Sequence, residues 1–201
     1  MLDGKRVAVV VPAYDEEALL EATLRGVPDF VDRIYVVDDA SRDGTLPAAQ
    51  ALAREDGRIE PIAHERNSGV GGAIVTGYKR ALADGIDVAC VMAADNQMDP
   101  HDLATLAGAV ARGEVDYAKA NRLFTGQAWR VIPRTRYLGN AVLSLLTKIA
   151  SGYWHVADSQ AGYTAVARGM LAQLDLDRLY RRYGFPNDML VHLNVWNARV
   201  R

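Results

Sequence analysis

The chain has 201 residues, half of them apolar, with a formal net charge of −2 and a single cysteine. That length fits one domain, that apolar share fills a sizeable core, and the near-neutral balance argues against a nucleic-acid-binding surface. One cysteine excludes a disulfide framework within the chain and fits a reducing compartment; the first apolar run is too short for a signal peptide, and no stretch approaches the roughly 20 apolar residues that cross a bilayer.

Val7–Val11 is a continuous apolar run stopped by Pro12, the pattern of a strand buried on both faces of a parallel sheet. Asp15-Glu16-Glu17 then opens a helix, because acids in a first turn meet the positive end of the helix dipole. Ala18, Leu19, Ala22 and Leu24 carry its apolar residues. Ile34–Val37 reads as the second strand and ends in Asp38-Asp39. Ser41-Arg42-Asp43-Gly44-Thr45 is turn and cap chemistry leading into a helix over Leu46–Ala53. Ile59–Ala63 is the third strand, followed by Asn67-Ser68-Gly69-Val70-Gly71-Gly72 and an Ala-rich helix from Ala73 to Ala83. The fourth strand spans Val88–Met92, with Cys90 as a core residue. His101–Ala111 is helical and Tyr117–Ala120 is a short fifth strand. No repeat, low-complexity segment or linker interrupts the chain before residue 121. This alternation implies an α/β fold: a doubly wound, mainly parallel sheet flanked by helices, with right-handed crossovers.

From Asn121 the character changes. Trp129–Arg136 mixes bases and aromatics, and a helix is expected from Arg134 to Ser151 with Leu138, Val142, Leu145, Leu146 and Ile149 on one stripe. Gly152 ends it; Ala161–Ala167 reads as a strand, and short helices follow at Arg168–Gln173 and Asn187–Trp196. The basic start, apolar stripe and Tyr153-Trp154 suit a helix lying in a membrane interface; a helix packed on the sheet has the same stripe. The chain stops at Asn197–Arg201 without a turn or tail signal, which suggests a piece of something longer.

Parallel strands all finish on one edge, where open α/β sheets place their ligands. Tyr14-Asp15-Glu16, Asp38-Asp39 and Asp95/Gln97 each follow a strand, so these polar groups can line one crevice. Asp95 and Gln97, a carboxylate and an amide oxygen two residues apart, suit a hard divalent cation that also takes phosphate oxygens. A plain turn explains Asp95–Pro100 as well. Asn67–Gly72 lacks the Lys-Ser/Thr of a P-loop and the dinucleotide glycine spacing. It reads as close backbone approach to a ligand, or as a tight turn.

Val10-Val11-Pro12-Ala13-Tyr14-Asp15-Glu16, Asp38–Thr45, Asn67–Ala73 and Asp95–Pro100 occur together in an order and spacing that resemble the family-2 glycosyltransferases of GT-A fold. Within that family the chain looks most similar to the polyprenyl-phosphate, or dolichyl-phosphate mannose synthase-like, transferases. The likeness covers about residues 5–170. It implies a UDP- or GDP-linked sugar donor and an inverting transfer to a polyprenyl phosphate at a membrane surface, with no nucleic acid involved. The sugar donor would meet Pro12, Tyr14, Asp15, Glu16, Asp39, Gly71, Asp95, Asn96 and Gln97, with Asp39 at its base. Asp95 and Gln97 match the motif that holds Mg²⁺ or Mn²⁺, although Ala93 replaces its first acid. Arg122 matches a phosphate-directed arginine; Arg130, Arg134 and Arg136 add positive charge for the acceptor phosphate. Asp158 falls at an acidic acceptor-side motif and, with Arg122, is the candidate catalytic residue; His155 is a possible helper. Residues 1–125 would bind the nucleotide sugar, and 126–201 the acceptor and membrane, before a transmembrane region that the chain does not include. The implied location is the cytoplasmic face of a membrane, peripheral or anchored by that region. A soluble or glycan acceptor, and a non-catalytic nucleotide-sugar-binding subunit permitted by Ala93, remain alternatives.

Overall fold

Val7–Ala13 (β1) is the centre of the molecule because each side chain from Val7 to Val11 is fully buried. Arg33–Asp38 (β2) lies along one side of it and Val88–Val91 (β4) along the other, both parallel to it. The computed structural model describes residues 1–121, 146–156 and 158–201. Among the described residues six strands form one sheet in the order β3-β2-β1-β4-β6-β5, with β3 at Ile59–Ala63, β5 at Tyr117–Lys119 and β6 at Thr164–Ala167. The first four in that order are parallel; β6 runs antiparallel between β4 and β5.

Pro12 does not end β1, as the apolar run suggested, but pairs with Val37 inside it. The physical reason is the length of β4. Met92 N–H donates to the Val10 carbonyl, so Val10 and Pro12 face β4, which ends before it reaches Pro12. The missing N–H of Pro12 therefore breaks no ladder bond.

Glu17–Arg25 (α1), Thr45–Glu55 (α2) and Asp102–Ala111 (α4) pack on one face of the sheet, where Leu20, Leu24, Leu52, Leu103 and Val110 meet Val9, Val11 and Val36. Val70–Ala83 (α3) packs on the other, with Tyr78 and Ala81 against Val10 and Tyr35. A helix described over 146–151 (α5), Arg168–Leu171 (α6) and Phe185–Val195 (α7) complete the molecule; Leu171, Phe185, Met189 and Leu193 join the α3 face.

Three expectations change. In α1 the buried residues are Leu20, Thr23 and Leu24, whereas Ala18, Leu19 and Ala22 face solvent. Alanine tolerates either environment, so it marked the wrong face. Helix α3 starts at Val70, which places Gly71 and Gly72 inside its first turn instead of before it. The strand expected over Ala161–Ala167 begins only at Thr164. Of the apolar stripe on the basic helix, Leu138, Val142 and Leu145 lie outside the described residues, as do Arg122, Arg130, Arg134 and Arg136. Leu146 and Ile149 are exposed. Cys90 is buried and its thiol is pushed up to about 12 by that burial, as an inert core residue requires.

Candidate active site

With α1 and α2 on one face and α3 on the other, the strand order reverses between β1 and β4. The loops that leave those strands part there, and the crevice opens at their carboxyl ends. Each of the three loops around it turns through a non-glycine residue in the left-handed region: Asp15 after β1 (φ 54°), Ala40 after β2 (φ 62°) and Asn96 after β4 (φ 54°). Asp and Asn tolerate that geometry, but Ala40 has no side-chain hydrogen bond to offset a strain of about 1–2 kcal/mol.

The β1 and β2 loops are laced together. Arg42 N–H donates to Asp15 Oδ1 (2.7 Å), Asp15 N–H to Ser41 Oγ (3.0 Å), and Glu16 N–H to Thr45 Oγ1 (2.8 Å). Glu17 N–H donates to Asp43 Oδ2 (3.1 Å), and Gly44 N–H returns a bond to Glu17 Oε2 (2.9 Å). Asp15 thus reaches the neighbouring loop. Glu17, which sequence reasoning did not single out beyond its place in a helix start, serves the same purpose. The β4 loop is tied down separately. Thr23 Oγ1 donates to the Ala94 carbonyl from inside α1 (2.9 Å), and Gln97 N–H donates to Asp95 Oδ1 (3.1 Å).

The charges of acids from different loops act together in this crevice. The Glu16 carboxyl is raised above its ordinary range by burial, then by the charges of Asp95 and Asp43. Tyr14 is 38% exposed beside it, Pro12 is half-buried, and Asn96 and Gln97 are exposed.

Asp39 is held differently. It is 3% exposed, and its carboxylate takes four hydrogen bonds. Ser68 N–H (2.8 Å), Ser68 Oγ (2.9 Å) and His64 Nδ1 (2.8 Å) meet Oδ1, and Gly69 N–H (2.7 Å) meets Oδ2. Burial alone would raise this carboxyl, but the hydrogen bonds from Ser68, His64 and Gly69 outweigh it and hold it below its ordinary value. The folded value is depressed, so the stabilisation is present above the ordinary value near 3.9 and is lost as pH falls through the lower folded one. Asp39→Asn is expected to destabilise by about 1–3 kcal/mol at neutral pH. Thermal melts should show that difference narrowing as the pH falls below about 4. The neighbouring Asp38, also 3% exposed, takes Ser41 N–H on Oδ2 (3.3 Å). Its Oδ1 has no hydrogen-bond partner among the described residues.

The glycines of the Asn67–Gly72 loop make their close approach to the chain itself. A Cβ on Gly71 would lie 2.3 Å from the Tyr180 carbonyl oxygen, and one on Gly69 2.5 Å from that of Arg181. Gly72 N–H donates to the Arg181 carbonyl (3.0 Å). On the side where a Cβ would stand, the space beside Gly71 is filled by the Tyr180–Arg181 backbone. A glycine cluster looks the same in sequence whichever partner presses on it.

The residues expected on the acceptor side reach the same edge by another route. Because β6 is antiparallel, its first residue Thr164 pairs with Val91 and Lys119 at the crevice end of β4 and β5. The segment before β6 therefore sits beside the β4 loop. Tyr163 Oη donates to the Asp99 carbonyl (3.1 Å), Lys119 Nζ donates to the Ala161 carbonyl, and Asp158 is buried, accepting Gln160 N–H (3.1 Å). His155 turns elsewhere: its Nε2 donates to the Val200 carbonyl (2.7 Å), a structural bond. A cavity of about 670 Å³ opens beside this edge, lined by Gln97, Met98, Leu106, Ala109, Asn121 and Tyr163 among others.

No group of three or more His, Cys, Asp or Glu that could hold a metal occurs among the described residues. Asp95 and Gln97 fit a cation that takes its remaining ligands from a bound anion, with Glu16 adding charge nearby. They do not form an all-protein cage.

The sequence profile of the family described as "Glycosyl transferase family 2" matches residues 8–174. A UDP-N-acetylglucosamine–dolichyl-phosphate N-acetylglucosaminyltransferase from Methanococcus voltae is 30% identical over 200 residues, which cover 93% of this chain and 79% of that protein. An undecaprenyl-phosphate mannosyltransferase from Micrococcus luteus is 34% identical over 187 residues, covering 92% and 76%. Among solved structures, glucosyl-3-phosphoglycerate synthase from Mycobacterium tuberculosis, in complex with Mn²⁺, UDP and glucosyl-3-phosphoglycerate, superposes with a TM-score of 0.71 at 22% identity. That likeness, which is one of fold, covers 94% of this chain but 65% of that one.

Proposed function

Because the chain belongs to glycosyl transferase family 2, we propose that it moves a sugar, with inversion, from a nucleoside-diphosphate donor to a polyprenyl phosphate. The observation that carries this reading is that Glu16 and Asp95 follow neighbouring parallel strands at the β1/β4 crevice, where the charge of Asp95 adds to burial in raising the Glu16 carboxyl. Acids gathered at one sheet edge would favour a divalent cation held together with a diphosphate.

In this reading Asp95 and Gln97 would hold Mg²⁺ or Mn²⁺ against the diphosphate. The bound cation stabilises negative charge as it develops on the leaving group. Tyr14 and Asp39 line the nucleoside end. Gly71 belongs to the floor beneath it, packed on the Tyr180–Arg181 backbone on its Cβ side. Arg122, Arg130, Arg134 and Arg136 would supply positive charge to the acceptor phosphate. A phosphate monoester is already largely ionised near neutral pH, so Asp158 needs to orient the acceptor more than deprotonate it. The apolar stretch of the cavity at Leu106 and Ala109 suits the isoprenoid chain beside that phosphate.

No described helix is long and apolar enough to cross a membrane. An exposed set of apolar and aromatic residues instead supports peripheral docking. Leu146, Ile149 and Trp154 are 56%, 60% and 62% exposed, and Tyr183, Val195 and Trp196 are exposed on and beside α7. Aromatic rings with an apolar body and a polar edge favour the headgroup level of a bilayer.

The test is release of nucleoside diphosphate from a UDP- or GDP-sugar in the presence of Mg²⁺ or Mn²⁺ and a short polyprenyl phosphate. Release that depends on the lipid phosphate is the expected result. Release only with water-soluble acceptors would overturn the acceptor assignment, and binding of a sugar nucleotide without turnover on any acceptor would overturn catalysis.

A further inference from the structure

His64 follows β3 and spans the gap between the end of β2 and the second turn of α3. Its Nδ1 lies 2.8 Å from Asp39 Oδ1 and 2.9 Å from Ser68 Oγ, and its Nε2 lies 2.9 Å from Thr76 Oγ1. Counting protons settles the roles. Asp39 is a carboxylate and only accepts, so Nδ1 carries a hydrogen and donates to Oδ1. Ser68 Oγ also lies 2.9 Å from Oδ1 and gives its single hydroxyl proton there. Thr76 Oγ1 lies 3.2 Å from the Gly72 carbonyl, so its hydroxyl has two places to donate. With a neutral ring it donates to Nε2; with an imidazolium it accepts from Nε2–H and turns to Gly72. The bond from Nδ1 to Asp39 is the same in both states.

The consequence falls on Asp39. Each carboxylate oxygen offers about two acceptor positions. Among the described residues Oδ1 receives three hydrogen bonds and is full, while Oδ2 receives Gly69 N–H alone. One acceptor position remains, on Oδ2. We infer that His64 is a positioning residue: braced on Thr76, it pins Asp39 Oδ1 so that Oδ2 is left to accept a hydrogen bond from the base of the sugar donor. This rests on the reading of Asp39 as the base contact in the proposed function.

Two variants separate the halves of the brace. The Asn amide nitrogen occupies the place of Nδ1, so His64→Asn keeps the bond to Asp39 and loses Thr76. The Gln amide nitrogen reaches the place of Nε2, so His64→Gln keeps Thr76 and loses Asp39. The measurements are calorimetric titration with UDP and with GDP in the presence of Mg²⁺, together with kcat and KM. His64→Ala and His64→Gln are expected to weaken nucleotide binding about tenfold, the effect of one hydrogen bond to a charged group. Both should raise KM and leave kcat within about twofold, and His64→Asn should restore binding to within about twofold of the parent. Should His64→Ala fail to fold, the Asn and Gln variants still decide the matter. Equal binding by parent, Asn and Gln variants, or rescue by Gln and not Asn, would overturn the positioning role alone. Failure of the parent protein to bind either nucleotide would overturn the functional reading, and this inference with it.

Discussion

Replacing Asp95 with Ala is expected to lower kcat/KM for nucleoside diphosphate release by about 10²–10³-fold, the range seen when a transition-state charge loses one preorganised partner. The side chain is half-buried at the end of β4, and its one hydrogen bond among the described residues is the 3.1 Å contact from Gln97 N–H. Losing that bond costs about 0.5–1.5 kcal/mol, which the fold can absorb. The loss of activity should therefore come without a comparable loss of melting temperature. A second signature follows from Glu16. Its carboxyl is raised partly by the Asp95 charge, so in Asp95→Ala it should titrate at a lower pH, observable by carbon-detected NMR of the side chain. Activity in Asp95→Ala within about threefold of the parent would remove the cation-binding role. Because Ala93 leaves Asp95 as the acid of this motif, the sequence has little redundancy to hide the effect.

Gly71→Ala is expected to be the most damaging single methyl group in the crevice floor. The new Cβ would sit 2.3 Å from the Tyr180 carbonyl oxygen and 2.8 Å from the Arg181 carbonyl carbon. These are backbone atoms held by Gly72 N–H and cannot swing away like the end of a flexible side chain. Forcing the segments apart costs about 3 kcal/mol, in the upper range of overpacking. For a chain of this size that lowers the melting temperature by about 6–12 °C. Gly85→Ala supplies a contrast: it is strained by its φ of 70°, yet its Cβ would meet nothing closer than 3.9 Å. If Gly71→Ala melts with the parent protein, the Tyr180–Arg182 backbone does not rest on this turn as described.

The parallel half of the sheet was legible because Val7–Val11, Ile34–Val37 and Val88–Met92 are buried on both faces, and such strands are written as unbroken apolar runs. β3 was readable to the residue. The insertion of β6 between β4 and β5 was not, since which strands pair is a long-range choice that no local pattern records. The strand-end acids were legible as a set, and the charge of Asp95 reaches the Glu16 carboxyl. What the pattern did not record is which acids face the crevice and which face the protein. Asp15 and Asp39 direct carboxylate oxygens to Arg42 N–H and to the Ser68 and Gly69 N–H groups, and such bonds depend on where two loops stand in space. His64 and Thr76 escaped notice for the same reason: a lone histidine carries no signal until the hydroxyl opposite it is known.

The reversed direction of β6 reaches beyond packing. The chain leaves β5 at Lys119 and re-enters at Thr164, and those two residues are partners in register. Residues 120–163 are therefore an excursion that departs from and returns to a single point on the rim. Such a module can be lengthened, shortened or traded among relatives while the nucleotide-facing framework stays put. On the proposed reading, evolution can thus retool what receives the sugar without renegotiating what delivers it.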